Sequence, residues 1–153
     1  MPNLPVDHIH NLLKLSLSAL LGGVIGLERE RWHKPAGFRT GMLVCLGSTL
    51  FTVISLDAFR GYHLDTNYDP TRMIAQIIVG IGFLGAGVIF RKKDHVEGIT
   101  TAASLWVKAA IGVAVGTNFY LEAMFTTFFV LLILIALGRV EILFTKEKSK
   151  LND

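Results

Sequence analysis

The sequence has 153 residues, 52% of them hydrophobic and only 18% charged, with a mean hydropathy of +0.52. A soluble domain carries about 25% charged residues, so the composition excludes an ordinary water-soluble fold and marks a membrane protein. The length suits one compact bundle, a single transmembrane domain over 1–153, and the formal net charge of +3 matters less than where the Lys and Arg residues lie.

Five apolar runs follow in chain order. Asp7 can cap a first span over 9–27, in which Gly22, Gly23 and Gly26 put small residues near the far end. Lys14, about one turn inside, can snorkel back to the near surface. The first ten residues lack the basic stretch of a signal peptide, so this helix is expected to stay in the mature protein. Residues 28–40 are polar and turn at Pro35-Ala36-Gly37. A second span over 41–57 holds Cys45, the single cysteine, which rules out an intrachain disulfide and reads as a small buried hydrophobe. A polar connection over 58–71, with loop signals at Gly61, Asn67 and Asp69-Pro70, leads to a third span over 73–90. Arg91-Lys92-Lys93-Asp94 then make a tight basic turn. A fourth span, 99–117, is interrupted by Lys108 and has a small face at Gly112 and Gly116. Thr117-Asn118 form a hinge, and a fifth span over 121–144 ends in a charged tail.

The third span contains Gly-Ile-Gly-Phe-Leu-Gly-Ala-Gly over 80–87. Gly80, Gly82 and Gly85 fit the G-x-G-x-x-G of a dinucleotide turn, but that turn must follow a strand and open a helix within a βαβ unit. Here the glycines lie inside a charge-free run flanked by Arg72 and Arg91. Gly80, Gly82, Gly85 and Gly87 are therefore expected to let another helix approach closely, as Gly22, Gly26, Gly112 and Gly116 do on their own spans.

Lys and Arg fall in alternate connections. Arg29, Arg31, Lys34 and Arg39 lie in the first, Arg91, Lys92 and Lys93 in the third, and Arg139, Lys146, Lys148 and Lys150 at the end. The other side carries Lys14, Arg60 and Arg72, diluted by Asp57, Asp65 and Asp69. The expected fold is an all-α polytopic membrane helix bundle of about five transmembrane helices, N-terminus outside and C-terminus cytoplasmic. Trp32 on the inner side and Tyr62, Tyr68 and Tyr120 on the outer side fit interfacial anchors.

Lys108 lies nine residues beyond Ile99, about 13 Å along a helix, near the bilayer midplane. An ammonium there costs at least about 2.5 kcal/mol, so it sits on an ion or anion path, reports potential or pH through its protonation, or is a structural lysine, snorkelled or paired with Glu122 across the hinge. Gln76, Thr100, Thr101 and Ser104 could line a site or simply bond to a neighbouring helix. Glu28, Arg29, Glu30 and Arg31 could pair with one another or with the basic turn at 91–93. His8 with His10, or Asp65 with Asp69, do not reach the ligand count of a zinc, calcium or magnesium site. His33, His63 and His95 have no Ser or Cys partner at a recognisable spacing. No catalytic, cofactor-binding or metal residue is therefore assigned, and the basic residues follow topology rather than forming a nucleic-acid surface.

Three ordered blocks carry a resemblance. The first is Gly22-Gly23-Val24-Ile25-Gly26-Leu27-Glu28-Arg29-Glu30 with Lys34-Pro35-Ala36-Gly37-Phe38-Arg39-Thr40. The second is Arg72, Ala75-Gln76-Ile77 and the glycine octet, and the third is Gly98-Ile99-Thr100-Thr101-Ala102-Ala103-Ser104-Leu105-Trp106 with Ala110-Ile111-Gly112. Together they resemble the MgtC/SapB family of bacterial membrane proteins, in the short form without the C-terminal ACT-like domain. The resemblance implies a multi-pass protein of the bacterial inner membrane tied to magnesium homeostasis and, in pathogens, to survival in low magnesium and inside macrophages. It implies no enzyme. It makes Glu28, Arg29, Arg39, Thr40, Arg72, Gln76, Thr100, Thr101 and Trp106 functional candidates beside Lys108. Some virulence members carry Asn and Cys where this sequence has Thr100 and Val107, and a small residue is common at the position of Lys108.

The expected function is thus a non-enzymatic membrane protein that works through helix contacts with a membrane partner, the F-type ATP synthase being one candidate, or through self-association by the small-residue faces. The alternative is a transporter or channel subunit with a path near Lys108.

Overall fold

In a computed structural model the described residues are 5–57, 69–93 and 95–151, with side chains over 8–57, 69–93 and 95–138. Five helices appear in the order α1 (Pro5–Arg31), α2 (Phe38–Asp57), α3 (Thr71–Gly87), α4 (Ile99–Gly116) and α5 (Tyr120–Leu151). Between α3 and α4 lies a two-residue antiparallel hairpin, β1 (Phe90–Arg91) with β2 (Val96–Glu97), in which Phe90 pairs with Glu97 and Arg91 with Val96. Four helical stretches are long and apolar enough to cross a membrane: His8–Arg31, Phe38–Asp57, Ile99–Gly116 and Tyr120–Gly138. At 17 residues α3 is apolar but shorter, about 26 Å at 1.5 Å per residue. The protein is an all-α polytopic membrane bundle.

Helix ends differ from the sequence reading by a few residues throughout, with α5 running on to Leu151, and three differences have a local reason. Proline at a first helical position costs nothing, because its missing N–H would be unpaired there anyway, so α1 starts at Pro5 and Asp7 lies in its first turn rather than capping it. The third helix stops at Gly87, capped by the Val88 N–H on the Ala86 and Gly85 carbonyls, so Phe90 and Arg91 are strand rather than the end of a span. The basic turn is part of a hairpin closed by the Lys92 N–H donating to the His95 carbonyl. Tyr62, Tyr68 and the rest of the connection over 58–68 lie outside the described residues, as do the side chains of Arg139, Lys146, Lys148 and Lys150.

Side-chain bonds identify the two ends of the bundle. At one end Asn11 Nδ2 donates to Asp57 Oδ2 at 2.9 Å, Ser55 Oγ to the Pro70 carbonyl, and Lys14 Nζ to the Gly116 carbonyl at 3.2 Å. Lys14 thereby places its charge at the negative end of α4. His10, Asn118 and Tyr120 meet at the same end, Tyr120 donating to Asn118 Oδ1 at 2.9 Å. Arg29, Arg31, Lys34, Arg39, Arg91, Lys92 and Lys93 lie at the other end. An excess of Lys and Arg assigns that end to the cytoplasm.

The centre is a close junction of α1, α2 and α4. A Cβ at Gly22 would collide with the Gly41 carbonyl and with Cys45, and one at Gly26 would stand 2.6 Å from the Gly37 carbonyl and 2.8 Å from the Phe38 Cα. On α4, a Cβ at Gly112 would collide with the Cys45 carbonyl, and one at Gly116 would lie 2.6 Å from the Thr52 Cβ. Small residues let these backbones approach, and the gain is dispersion and hydrogen bonding rather than the hydrophobic effect, which lipid cannot supply. Thr49 Oγ1 donates to the Gly112 carbonyl at 2.7 Å and the Cys45 thiol to the Lys108 carbonyl at 3.0 Å. Ile25, Cys45, Ile111 and Val115 fill the junction, while α3 contributes Ile81 to a second cluster with Leu105 and Ala109. α5 is peripheral, with 17% of its apolar stretch buried.

Candidate functional site

The candidate site lies at the cytoplasmic end, where α1 turns into α2. Glu28 and Arg29 are adjacent on α1, a spacing at which helix side chains do not face each other. Both are long enough to bend together, and Arg29 Nη2 donates to Glu28 Oε1 at 2.8 Å while Nε serves Oε2. Their side chains are 6% and 7% exposed, so the pair is buried and neutral. The two parallel bonds are the geometry that offsets the loss of water around both ions. Glu30 acts instead on the helix that follows. Its Oε2 accepts from the Phe38 N–H at 2.8 Å, satisfying one of the orphan donors at the start of α2.

The connecting loop is folded inward by two residues in the left-handed region, His33 at φ 52° and Ala36 at φ 61°. This places the Ala36 carbonyl against α4, where Lys108 Nζ donates to it at 3.4 Å. Ala36 also packs on the Ile81, Leu105 and Ala109 cluster, so the loop enters the bundle instead of lying over it. Lys108 is fully buried. Its partner is the loop carbonyl and not Glu122, which is exposed in the first turn of α5. The ammonium therefore reaches from its Cα toward the basic end, within electrostatic range of Cys45, Arg29 and Glu28.

Beside this cluster is an open cleft of about 1090 Å³, walled by the end of α1 and its loop, the hairpin, the first turn of α4 and α5 over 133–138. Arg29, Thr100 and Thr101 line it. Glu97 faces it with its carboxylate occupied by Lys92 at 2.8 Å and His95 at 3.0 Å. The Lys92 bond, then the His95 bond, hold the Glu97 carboxyl below its ordinary range.

The sequence candidates thus separate. Glu28, Arg29, Thr100, Thr101 and Lys108 gather at the cytoplasmic end, with Arg39 exposed and Thr40 half-buried at the start of α2. Trp106, exposed on α4, borders a small apolar groove shared with Ile77 and Ile81 of α3. Arg72 and Gln76 are exposed near the opposite end, on α3. Among the described residues Gly80, Gly82 and Gly87 have nothing within 4 Å of an added Cβ, and Gly85 has only ordinary contact with Ala102 at 3.6 Å.

Sequence reading missed the packing role of Gly41 and the polar strip of Cys45, Ser48, Thr49 and Thr52 behind it. The signal was present, since positions 41, 45, 48, 49 and 52 recur at helical spacing and are all small. It also missed the Glu30 cap and the Ala36 acceptor, for which a single sequence carries no pattern.

Comparison with known proteins agrees with this architecture. The chain is 45% identical over 126 residues to protein SapB of Bacillus subtilis (strain 168), covering 79% of this chain and 53% of that one. It is 43% identical over 122 residues to protein MgtC of Brucella abortus (strain 2308), covering 80% of this chain and 49% of that one. It is 40% identical over 125 residues to YhiD of Escherichia coli (strain K12), which carries the provisional name of magnesium transporter, covering 80% and 58%. The chain therefore spans about half the length of these relatives. No solved structure matches it significantly. The family model described as MgtC family matches residues 15–143, which takes in the glycine junction, the buried Glu28–Arg29 pair, the inward loop and Lys108. A polytopic bacterial inner-membrane bundle carrying all these features in one continuous match belongs to the MgtC family.

Proposed function

We propose that this chain serves magnesium homeostasis and adaptation to low magnesium as a non-enzymatic protein of the inner membrane, acting through helix contacts with a membrane partner. The names of its relatives MgtC and YhiD support the magnesium role. The observation that carries the mode of action is the open face of α3. Gly80, Gly82 and Gly87 meet nothing among the described residues, whereas Gly22, Gly26, Gly112 and Gly116 are filled by neighbouring backbone or side chains. On that helix Arg72, Gln76, Gly80 and Gly87 fall on one face at helical spacing, Arg72, Gln76 and Gly80 at intervals of four residues. Gln76 brings an amide, and in hydrocarbon such a group bonds across to another helix. The F-type ATP synthase is the partner that the family resemblance favours, and a second copy of this chain is the other candidate. A photo-crosslinker placed at Phe83, which is 82% exposed, tests this in native membranes. The expected result is one discrete protein adduct; crosslinks to lipid alone would overturn the proposal.

A second reading, ion transport near Lys108, draws on the buried ammonium and on the name of YhiD. Full burial of Lys108 means a path there requires the inward loop to move. Reconstituted protein that carries magnesium or protons, with a flux altered in Lys108→Ala, would favour transport over partner contact.

A further inference from the structure

The cytoplasmic cleft has two kinds of wall. On the polar side, Gly98 at φ 93° gives α4 no side-chain cap, so among the described residues no side chain meets the first-turn N–H groups at the positive end of the helix dipole. Thr101 lines the same side and is 2% exposed; its hydroxyl bonds to none of the described residues and, since no fully buried side-chain oxygen among them lacks a partner, it opens to the cleft. Lys34 stands exposed on the lining and forms no ion pair among the described residues. Among the described residues the single acid on the lining, Glu97, is already held by Lys92 and His95. The opposite wall is Ile133, Leu134 and Leu137 of α5, within the stretch Tyr120–Gly138 that is apolar enough to cross a membrane. Ile133 is 43% and Leu137 61% exposed.

We propose that this cleft binds an anionic phospholipid of the cytoplasmic leaflet. Its phosphate lies against the Thr101 hydroxyl, the first turn of α4 and Lys34, and one acyl chain runs along Ile133 and Leu137. A hydroxyl opening to the cleft with no described protein partner, beside N–H groups that no side chain caps, offers donors to an oxygen acceptor bearing negative charge. A free anion would satisfy that end and leave the α5 wall facing water, whereas a lipid fills both, and the volume of about 1090 Å³ exceeds what a phosphate needs. The basic end of the bundle faces the leaflet where anionic headgroups concentrate. The proposal uses α1, α4 and α5 and is independent of the α3 face invoked above.

The test is native mass spectrometry of the full chain in zwitterionic detergent, with phosphatidylglycerol and phosphatidylcholine of identical acyl chains. Wild-type protein is expected to retain phosphatidylglycerol at least about five-fold more, and Lys34→Gln to weaken that retention roughly five-fold, the worth of one basic residue near an anionic headgroup. Thr101→Val, which removes the hydroxyl and keeps the shape, is expected to weaken it as well. Equal retention of the two lipids by the wild type would overturn the proposal, and that comparison needs no variant to fold. Unchanged retention in both variants would also overturn it. Displacement by glycerol phosphate at the same concentration as the lipid would show a site for a soluble anion and equally refute it.

Discussion

Replacing Gly26 by alanine isolates the close-approach argument, because what the new methyl meets is backbone and cannot rotate away. The added Cβ would stand 2.6 Å from the Gly37 carbonyl oxygen, 2.8 Å from the Phe38 Cα and 3.0 Å from the Gly37 carbonyl carbon. Restoring an ordinary contact of 3.4 Å requires the start of α2 to retreat by about 0.8 Å. Such a retreat strains the Glu30 cap on the Phe38 N–H and the Lys108 bond to Ala36. Overpacking of a filled site costs about 1–3 kcal/mol. Alanine also favours the helix over glycine by up to about 1 kcal/mol, which blurs the reading of a single variant. Gly82→Ala is the control: it has the same helix preference and nothing within 4 Å, so it should be neutral or stabilising by up to about 1 kcal/mol. The difference between the two variants cancels the shared preference and should equal the overpacking term, about 1–3 kcal/mol. Reversible unfolding in mixed micelles, followed by far-ultraviolet circular dichroism, measures it. If Gly26→Ala is as stable as Gly82→Ala to within about 0.5 kcal/mol, the close-approach reasoning is wrong.

Three further outcomes are expected. Arg29→Met leaves Glu28 buried without its partner and should cost about 3–5 kcal/mol, whereas Glu28→Met with Arg29→Met together should cost much less; unfolding of the single and double variants decides it. Lys108→Met removes a fully buried cation held, among the described residues, by one long bond of 3.4 Å, so the variant should be at least as stable as wild type, and a loss above about 1 kcal/mol would refute that account. Glu97 has its carboxyl held below the ordinary 4.5 by Lys92 and His95, so its contribution is fully present above pH 4.5 and is lost as pH falls through the lower folded value. The protection factors of amides in the Phe90–Arg91 and Val96–Glu97 hairpin, corrected for the intrinsic pH dependence of exchange, should therefore fall on acidification below that point, and Glu97→Gln should remove the fall.

How far the sequence could be read follows from which forces are local. Spans, turns and the cytoplasmic collection of Lys and Arg depend on composition over a window, and a bundle of five helices is what the structure has, with ends that differ from the hydropathy runs. Gly22, Gly26, Gly112 and Gly116 were legible as small faces because their spacing is helical, yet spacing gave the octet over 80–87 the same standing although three of its four glycines point away from the bundle. Nothing in a single sequence distinguishes a glycine facing its own chain from one facing lipid or another protein. The blocks around Glu28 and Thr101 come together at the cytoplasmic end of the molecule. The Lys108 acceptor escaped notice because it is a backbone carbonyl exposed by the left-handed turn at Ala36, and neither the carbonyl nor the turn has a residue-type signature. A depth estimate from Ile99 located the Cα of Lys108 but not its ammonium, which a four-carbon stem carries toward the loop.

The bond between Ala36 and Lys108 also sets an order in time. The acceptor precedes the donor by 72 residues, so during synthesis α1, the inward loop and α2 leave the ribosome well before α4 does. Insertion of α4 into lipid alone would expose its ammonium to hydrocarbon. With the α1–α2 pair already joined through Gly22, Gly26 and Gly41, a waiting carbonyl receives the charge as the helix docks. The chain thus prepares the place for its most costly residue before making it.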